Sequence, residues 1–183
     1  MRAVVVPLIA ALLLSPGCGG GSGGDGGTIN GTCLSFAGAQ APAAGRVVAR
    51  QGAGGNCMAQ FVEIVVTNVT DVFSGSFTVN FDATRVAFGS ATSQGSFLAA
   101  GGAQVNVVQS TPQAGSVTVG ISRVGVATGV NASGSQVLVR LSFAPVSAGS
   151  ATLMLTGTQL FGSETPPQAK SGLTWSGGTF QVQ

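Results

Sequence analysis

Five acidic side chains are the main candidates for acid–base or metal chemistry in this sequence, because it contains no His and no Tyr. Asp25 lies in a glycine-rich stretch, and the other four, Glu63, Asp71, Asp82 and Glu164, are dispersed. Asp71 and Asp82 could meet as a carboxylate pair, but each follows a predicted strand, where an acid usually hydrogen-bonds a turn. His, the commonest general base and metal ligand, is therefore missing. The sequence therefore predicts no enzyme, no metal site and no cofactor.

The basic residues are too few and too scattered for a nucleic-acid surface. Seven Lys and Arg side chains and five acidic ones give a formal net charge of +2, and charged residues make up only 7% of the chain. They occur singly along the sequence, whereas binding to a phosphate backbone requires clustered positive charge. We therefore expect no nucleic-acid partner, and solubility must come from Ser, Thr, Asn, Gln and Gly.

The N-terminus has the pattern of an export signal. Arg2 precedes the apolar run 3–14, which is too short for a convincing transmembrane helix. The following Ser-Pro-Gly-Cys, ending at Cys18, resembles a bacterial lipobox, although Ser15 stands where Leu is usual. We predict a lipoprotein signal peptide over residues 1–17 and lipidation of Cys18; the alternative is an ordinary cleaved signal peptide. The expected location is the bacterial cell envelope, lipid-anchored at the outer membrane or cell surface, or alternatively secreted.

The three cysteines of the chain support the same interpretation. An exported protein usually avoids an unpaired thiol, and lipidation of Cys18 would leave Cys33 and Cys57 as a pair. A disulfide between them would close a loop of about 25 residues and stabilise the fold by roughly 3 kcal/mol. The alternative is two free thiols.

The chain then divides into a tether and one folded domain. Residues 19–27 consist of Gly apart from one Ser and one Asp, a composition typical of a flexible linker. We assign residues 18–45 to the lipidated Cys, the tether and a transition segment, and residues 46–183 to a single domain.

The domain sequence has the period of β-strands. Short runs of β-branched and aromatic residues alternate with polar ones, and turn residues separate them. About eight or nine strands are expected, which indicates a β-sandwich. The alternating pattern begins at residue 46. Strands are predicted at residues 59–69, 76–81, 85–88, 103–109, 116–123, 136–143, 151–160 and 178–182.

The first half of this domain resembles the opening of a cohesin domain. The alternating run Val62–Val69 precedes Gly75–Asp82, an aromatic strand closing on an acid, and then the short strand Arg85–Phe88. Two positions depart from the family pattern, since Ala83 replaces the usual Pro and Val86 stands where Leu is common.

The second half continues the likeness. Residues 136–143 resemble the cohesin strand that ends in a Phe-Ala pair, residues 148–153 the Gly-Ser lead into the next strand, and residues 177–182 the Gly-Gly ending. The resemblance implies a nine-stranded jelly-roll β-sandwich that binds without catalysis, with a dockerin-like protein as its partner. A polysaccharide-binding module and a structural or adhesive envelope domain are the alternatives.

Candidate binding residues follow from simple alternation along the strands. Val65, Leu138 and Met154 are out of phase with the residues expected to point inward, which places them on outer faces. Together with Arg140 as a polar anchor, some of them would form an apolar patch typical of partner surfaces. Trp175, the only Trp, is either a core residue or an exposed anchor.

Overall fold

The computed structural model describes residues 33–183, so the predicted signal peptide, Cys18 and the tether lie outside the described residues. Most of the described chain is strand, as its period-two pattern predicts. It forms eleven strands, compared with the nine implied by the resemblance. In chain order they are β1 (Leu34–Gly38), β2 (Arg46–Gln51), β3 (Gln60–Val72), β4 (Ser74–Asn80), β5 (Val86–Thr92), β6 (Gln104–Gln113), β7 (Ser116–Val124), β8 (Val130–Pro145), β9 (Gly149–Phe161), β10 (Thr174–Ser176) and β11 (Gly178–Val182).

These strands form two sheets that face each other, and the fold is an all-β jelly-roll sandwich. The six-stranded sheet has the order β1-β11-β9-β4-β7-β6, and the five-stranded sheet has the order β10-β2-β3-β8-β5. Neighbouring strands are antiparallel except β10 and β2, which are parallel. The sequence thus predicted the fold class correctly, and each of its strand positions from β3 onward overlaps an observed strand.

The core fills the space between the sheets with the inward half of each alternating strand. Phenylalanines from both sheets meet there: the rings of Phe36 and Phe180 lie 4.8 Å apart, and Phe180 and Phe143 are also 4.8 Å apart. Phe81 and Phe88 contact Phe143 edge-on. Such contacts between aromatic rings add to the burial of apolar area that holds the two sheets together.

The sandwich begins before the boundary that the sequence suggested. Strand β1 pairs along its whole length with β11, the last strand, although it was assigned to the transition segment. Leu34 and Phe36 alternate into the core. The structure joins Cys33 to Cys57, so the start of β1 is linked to the loop between β2 and β3. Strand β1 was missed because its alternation is confined to Leu34 and Phe36, and no local pattern shows its pairing with β11.

One glycine allows the chain to cross from one sheet to the other. Gly177 separates β10, in the five-stranded sheet, from β11, in the six-stranded sheet. A Cβ at this position would stand 1.8 Å from the backbone oxygen of Leu153. Only glycine fits so close to the β9 backbone.

The described residues also contain one short 3₁₀ helix, Phe97–Gly102, where the sequence predicted no helix. It seals one end of the sandwich, because Phe97 and Leu98 are buried in the core. Arg123 supports it by donating hydrogen bonds to the carbonyl oxygens of Leu98, at 2.5 Å, and Ala100, at 3.1 Å. No helix within residues 33–183 is long and apolar enough to span a membrane.

Candidate binding surface

The outward residues of the six-stranded sheet form a face without charge, which we call the uncharged face. Alternation turns the Ser, Thr and Asn residues of these strands outward, because their neighbours point into the core. No outward position carries Asp, Glu, Lys or Arg. Its members include Ser35, Thr179, Gln181, Ser150, Thr152, Met154, Thr156, Ser76, Thr78, Asn80, Thr118, Ser122, Asn106, Val108 and Ser110.

Polar side chains run across this face in register. Thr156, Thr78, Thr118 and Ser110 stand opposite one another on β9, β4, β7 and β6. The Thr78 and Thr118 hydroxyls are 3.1 Å apart and hydrogen-bonded, and Asn80 donates to Thr156 at 2.8 Å. Because these groups are held by each other, the face presents a pre-ordered surface of hydroxyl groups and methyl groups.

Three exposed apolar side chains lie within the uncharged face, and one of them, Val124, is 43% exposed at the end of β7. Met154 is 55% exposed on β9, and Val108 is 60% exposed on β6. The prediction that Met154 points outward is correct. Val108 was not singled out, although its place between Asn106 and Ser110 in an alternating strand could have identified it.

The outer face of the five-stranded sheet is different, because a row of charges crosses it. Arg50, Glu63 and Arg140 stand in register on β2, β3 and β8. Arg50 contacts the Glu63 carboxylate at 2.9 Å, and Arg140 contacts it at 3.6 Å. The Arg140 guanidinium also lies 4.4 Å from the centre of the Phe61 ring.

Arg140 is therefore occupied within the molecule. It donates to Gln94 at 3.1 Å and to the carbonyl oxygen of Ala53, so it links two loops to the sheet. Its side chain is only 14% exposed. This geometry gives Arg140 structural contacts within the molecule, and its role as a partner anchor stays a prediction.

The prediction that Val65 and Leu138 contribute to an outer patch is wrong, because both are fully buried. Ile64 pairs with Val139 and Val65 with Val137, so Leu138 is an extra residue in β8. Such a bulge shifts the alternation, and Leu138 joins Val139 in the core. Val65 does lie on the outer side, in register between Val48 and Val137 of the two neighbouring strands, but it is buried there.

Trp175 lies at the edge of the core and also reaches the surface, while its role as a binding anchor stays a prediction. One side of its ring packs against Phe77, with centroids 5.8 Å apart, and the residue belongs to the periphery of the core. Another part lines a surface cavity of about 380 Å³ together with Met154, Leu155 and the backbone of Gly177. The fold thus brings Met154 and Trp175 together, while it separates them from Arg140.

A second cavity, of about 360 Å³, opens at the end of the sandwich between β5 and the β6–β7 turn. Phe81, Val86, Phe88 and Val117 form its apolar wall. It lies away from the uncharged face.

The acidic residues have structural partners within residues 33–183. Asp82 accepts hydrogen bonds from the Thr84 N–H, at 2.9 Å, and the Thr84 hydroxyl, at 2.6 Å, which lowers the pKa of its carboxyl. This is the turn role expected from the sequence. No group of three or more potential metal ligands occurs within the described residues.

Asp71 makes long-range contacts instead of a local turn. It accepts hydrogen bonds from the Ser163 hydroxyl at 2.6 Å, the Ser163 N–H at 3.0 Å and the Lys170 ammonium at 3.2 Å. These contacts, the Ser163 hydroxyl first, lower the pKa of Asp71 from 3.8 to about 2. Lys170 also donates to Glu164 at 3.3 Å. The cluster fastens the loop after β9 to the end of β3.

A scan against models of known protein families finds no match to this chain, and a search of curated proteins finds none. Among solved structures, the chain is similar to the second type II cohesin module from the adaptor ScaA scaffoldin of Acetivibrio cellulolyticus. The TM-score is 0.53 at 14% identity, covering 83% of this chain and 91% of that chain.

Two further structures contain CaCohA2 of Clostridium acetobutylicum. Its solution structure matches with a TM-score of 0.51 at 12% identity, covering 82% of this chain and 92% of that chain. In the CaDoc0917–CaCohA2 complex, the match has a TM-score of 0.50 at 11% identity and covers 66% of this chain and 86% of that chain. At these identities the likeness concerns the fold, and residues 33–183 have the jelly-roll sandwich fold of a cohesin module.

Proposed function

We propose that this protein is a non-catalytic binding module whose partner is another protein, docking on the uncharged face. The observation that carries this proposal is the combination of an uncharged, pre-ordered sheet surface with the exposed side chains of Met154 and Val108. Exposed apolar groups surrounded by uncharged polar groups are typical of protein interfaces, whose centres are depleted in charge. On the opposite sheet, the charged side chains of Arg50, Glu63 and Arg140 are already paired with one another.

A dockerin-like module is the partner that we propose. The fold supports it, because the similar structures include a type II cohesin module and a CaDoc0917–CaCohA2 complex. A polysaccharide is a weaker candidate. Sugar-binding surfaces of this kind use exposed aromatic rings, and the outward positions of the uncharged face carry none.

The experiment starts with the source genome, in which paired calcium-binding loops of the Asp-x-Asn-x-Asp type would identify dockerin-like modules. Each such module is titrated calorimetrically against residues 19–183 and against Met154→Lys and Val108→Lys variants. Because a buried lysine at an interface must lose its water, we expect each substitution to weaken binding by about tenfold or more.

Val146→Lys is the matched control, since Val146 is 52% exposed but lies in the turn between β8 and β9. Its affinity should equal that of the wild type. Equal affinity of all three variants would show that the interface does not lie on the uncharged face. Absence of binding by every such module would leave the protein without a dockerin-type partner and contradict the proposal.

We further propose that the domain is exported and held at the cell envelope by a lipid on Cys18. The Ser-Pro-Gly-Cys sequence supports this, and so does the pairing of Cys33 with Cys57, since disulfides persist in oxidising compartments. Cys18→Ala should release the protein from the membrane fraction or leave it unprocessed. Normal processing and unchanged membrane retention of this variant would contradict the anchor.

A further inference from the structure

Strand β9 has one side that is only partly covered. On its first side, β9 pairs with β4 from Met154 to Phe161. On its second side, it pairs with β11 only as far as Leu153, where β11 gives way to the crossover at Gly177. Pairing on this second side resumes at Leu160, whose carbonyl oxygen accepts the N–H of Lys170 at 2.8 Å. Within residues 33–183, no strand is paired with the backbone from residue 154 to 159 on this side.

The backbone groups of Leu155 point towards this gap. The carbonyl oxygen of Leu153 faces Gly177, on the second side of β9. Since successive residues of a strand direct their N–H and C=O groups to opposite sides, those of Leu155 point the same way as those of Leu153. An unpaired N–H and C=O on a strand edge are the groups to which an added strand binds.

A cavity lies next to these groups. The surface cavity of about 380 Å³ is lined by Met154, Leu155, Trp175 and the backbone of Gly177 and Gly178, with the hydroxyl-bearing Thr156 at its margin. None of its lining residues is charged. An apolar side chain on an inserted peptide would find there the thioether of Met154 and the indole of Trp175, both suited to apolar contact.

The edge lacks the side chains that usually protect a strand edge, because residues 154–159 contain neither a charged residue nor a Pro. Its length is limited instead. Opposite Phe77, β9 carries a bulge at residues 157–158, and Gly157 has a φ of 56°. The straight part of the free edge is therefore the short stretch from Met154 to Thr156, which suits a segment of a few residues.

We propose that this free edge of β9 binds a short extended peptide segment of a protein partner. The segment is uncharged, pairs with the N–H and C=O of Leu155, and places one apolar side chain against Met154 and Trp175. The site adds to the proposed docking on the uncharged face, because it uses backbone groups and a cavity at the sheet edge. It does not depend on a dockerin-type partner.

The probe is a displayed library of heptapeptides composed only of uncharged residues, selected on residues 19–183. Enriched peptides should slow hydrogen exchange at the Leu155 amide by about tenfold or more, because that N–H becomes hydrogen-bonded. Methylating alternate peptide nitrogens, in the register whose N–H groups face β9, should weaken binding by about tenfold, whereas methylation in the other register has less effect.

Variants at two exposed positions distinguish binding at this site from binding at the rest of the uncharged face. Met154→Lys puts a charge at the mouth of the cavity and should weaken peptide binding by about tenfold or more. Val108→Lys, on the uncharged face but on β6, should leave peptide affinity within about twofold of wild type, since distant sites act independently. No enrichment, unchanged exchange at Leu155, or equal binding by the Met154→Lys variant would each overturn the proposal. None of these results affects the dockerin titration, so the two proposals fail separately.

Discussion

At the scale of single residues, Leu138 and Met154 show how similar sequence contexts end in opposite environments. Each was expected on an outer face because it interrupts an alternating apolar pattern. Met154 is 55% exposed, whereas Leu138 is fully buried and lies near Gly75 of the opposite sheet. The buried Leu138 side chain therefore stabilises the sandwich, whereas the exposed Met154 side chain is available to a partner.

The first prediction compares these two residues. Leu138→Ala should lower the free energy of unfolding by about 2–4 kcal/mol, because it removes buried methyl groups and leaves a cavity between the sheets. Met154→Ala, the control, should change it by less than about 0.5 kcal/mol. Urea unfolding followed by Trp175 fluorescence measures both. A loss below about 1 kcal/mol for Leu138→Ala would show that the bulge does not direct this side chain into the core.

The second prediction concerns the Asp71 carboxylate, whose pKa is lowered from 3.8 to about 2. Because folding depresses this pKa, its stabilising effect is complete above about pH 4 and disappears as the pH falls towards 2. Asp71→Asn should cost about 1 kcal/mol at neutral pH, a value discounted for the partial exposure of the group. The difference from wild type should shrink over that acidic range in urea titrations.

Glu164→Gln is the control for Asp71→Asn, since Glu164 shares the Lys170 ammonium but its side chain is 47% exposed. An exposed ion pair contributes little, so the loss should stay below about 0.5 kcal/mol. If the loss of stability caused by Asp71→Asn did not change with pH, the negative charge of Asp71 would not be the source of its stabilising effect.

At the scale of elements, the ends of strands decide what the surfaces offer. The bulge in β8 turns Leu138 inward, and the crossover at Gly177 removes β11 from the side of β9. The first feature removes part of the expected outer patch. The second creates the free edge and the cavity that contains Met154 and Trp175.

The third prediction tests the crossover. Gly177→Ala would bring a Cβ to 1.8 Å from the backbone oxygen of Leu153, so the two chains must move apart. We expect a loss of about 1–3 kcal/mol and a lowered melting temperature. Gly120→Ala is the matched control, because a Cβ on this β7 glycine would have no atom within 4 Å. Equal melting temperatures of the two variants would contradict the close packing at the crossover.

At the scale of the whole molecule, the two ends of the described chain lie side by side. Strand β1 pairs with the last strand, β11, and the backbone N–H of Cys33 donates to the oxygen of Gln183 at 2.7 Å. The Cys33–Cys57 disulfide holds this edge to the loop before β3. A tether leaving from residue 33 would therefore pull on a part of the fold that is covalently reinforced.

The fourth prediction concerns this reinforcement. The Cys33→Ser, Cys57→Ser double variant should have a free energy of unfolding about 3 kcal/mol lower than wild type. The reason is that a disulfide closing a loop of this length restricts the unfolded chain. Mass spectrometry of the wild type without prior reduction should find no free thiol at either position. Alkylation of both cysteines in the exported protein would contradict the pairing.

Several features of this protein could be predicted from the sequence because their physical causes are local. Period-two alternation located strands β3 to β9 and β11, whereas the three-residue strand β10 was not predicted. The turn role of Asp82 followed from its position directly after the predicted strand 76–81. The cysteine count favoured the pair that the structure joins.

Other features depended on which strands meet, and no local pattern carries that information. Strand β1 is recognisable only through its pairing with β11, and the burial of Leu138 only through the register shift between β3 and β8. The uncharged face and the free edge of β9 likewise arise when distant strands align or separate. Local alternation fixes two opposite sides for every strand, but the order and register of its neighbours decide which side water reaches.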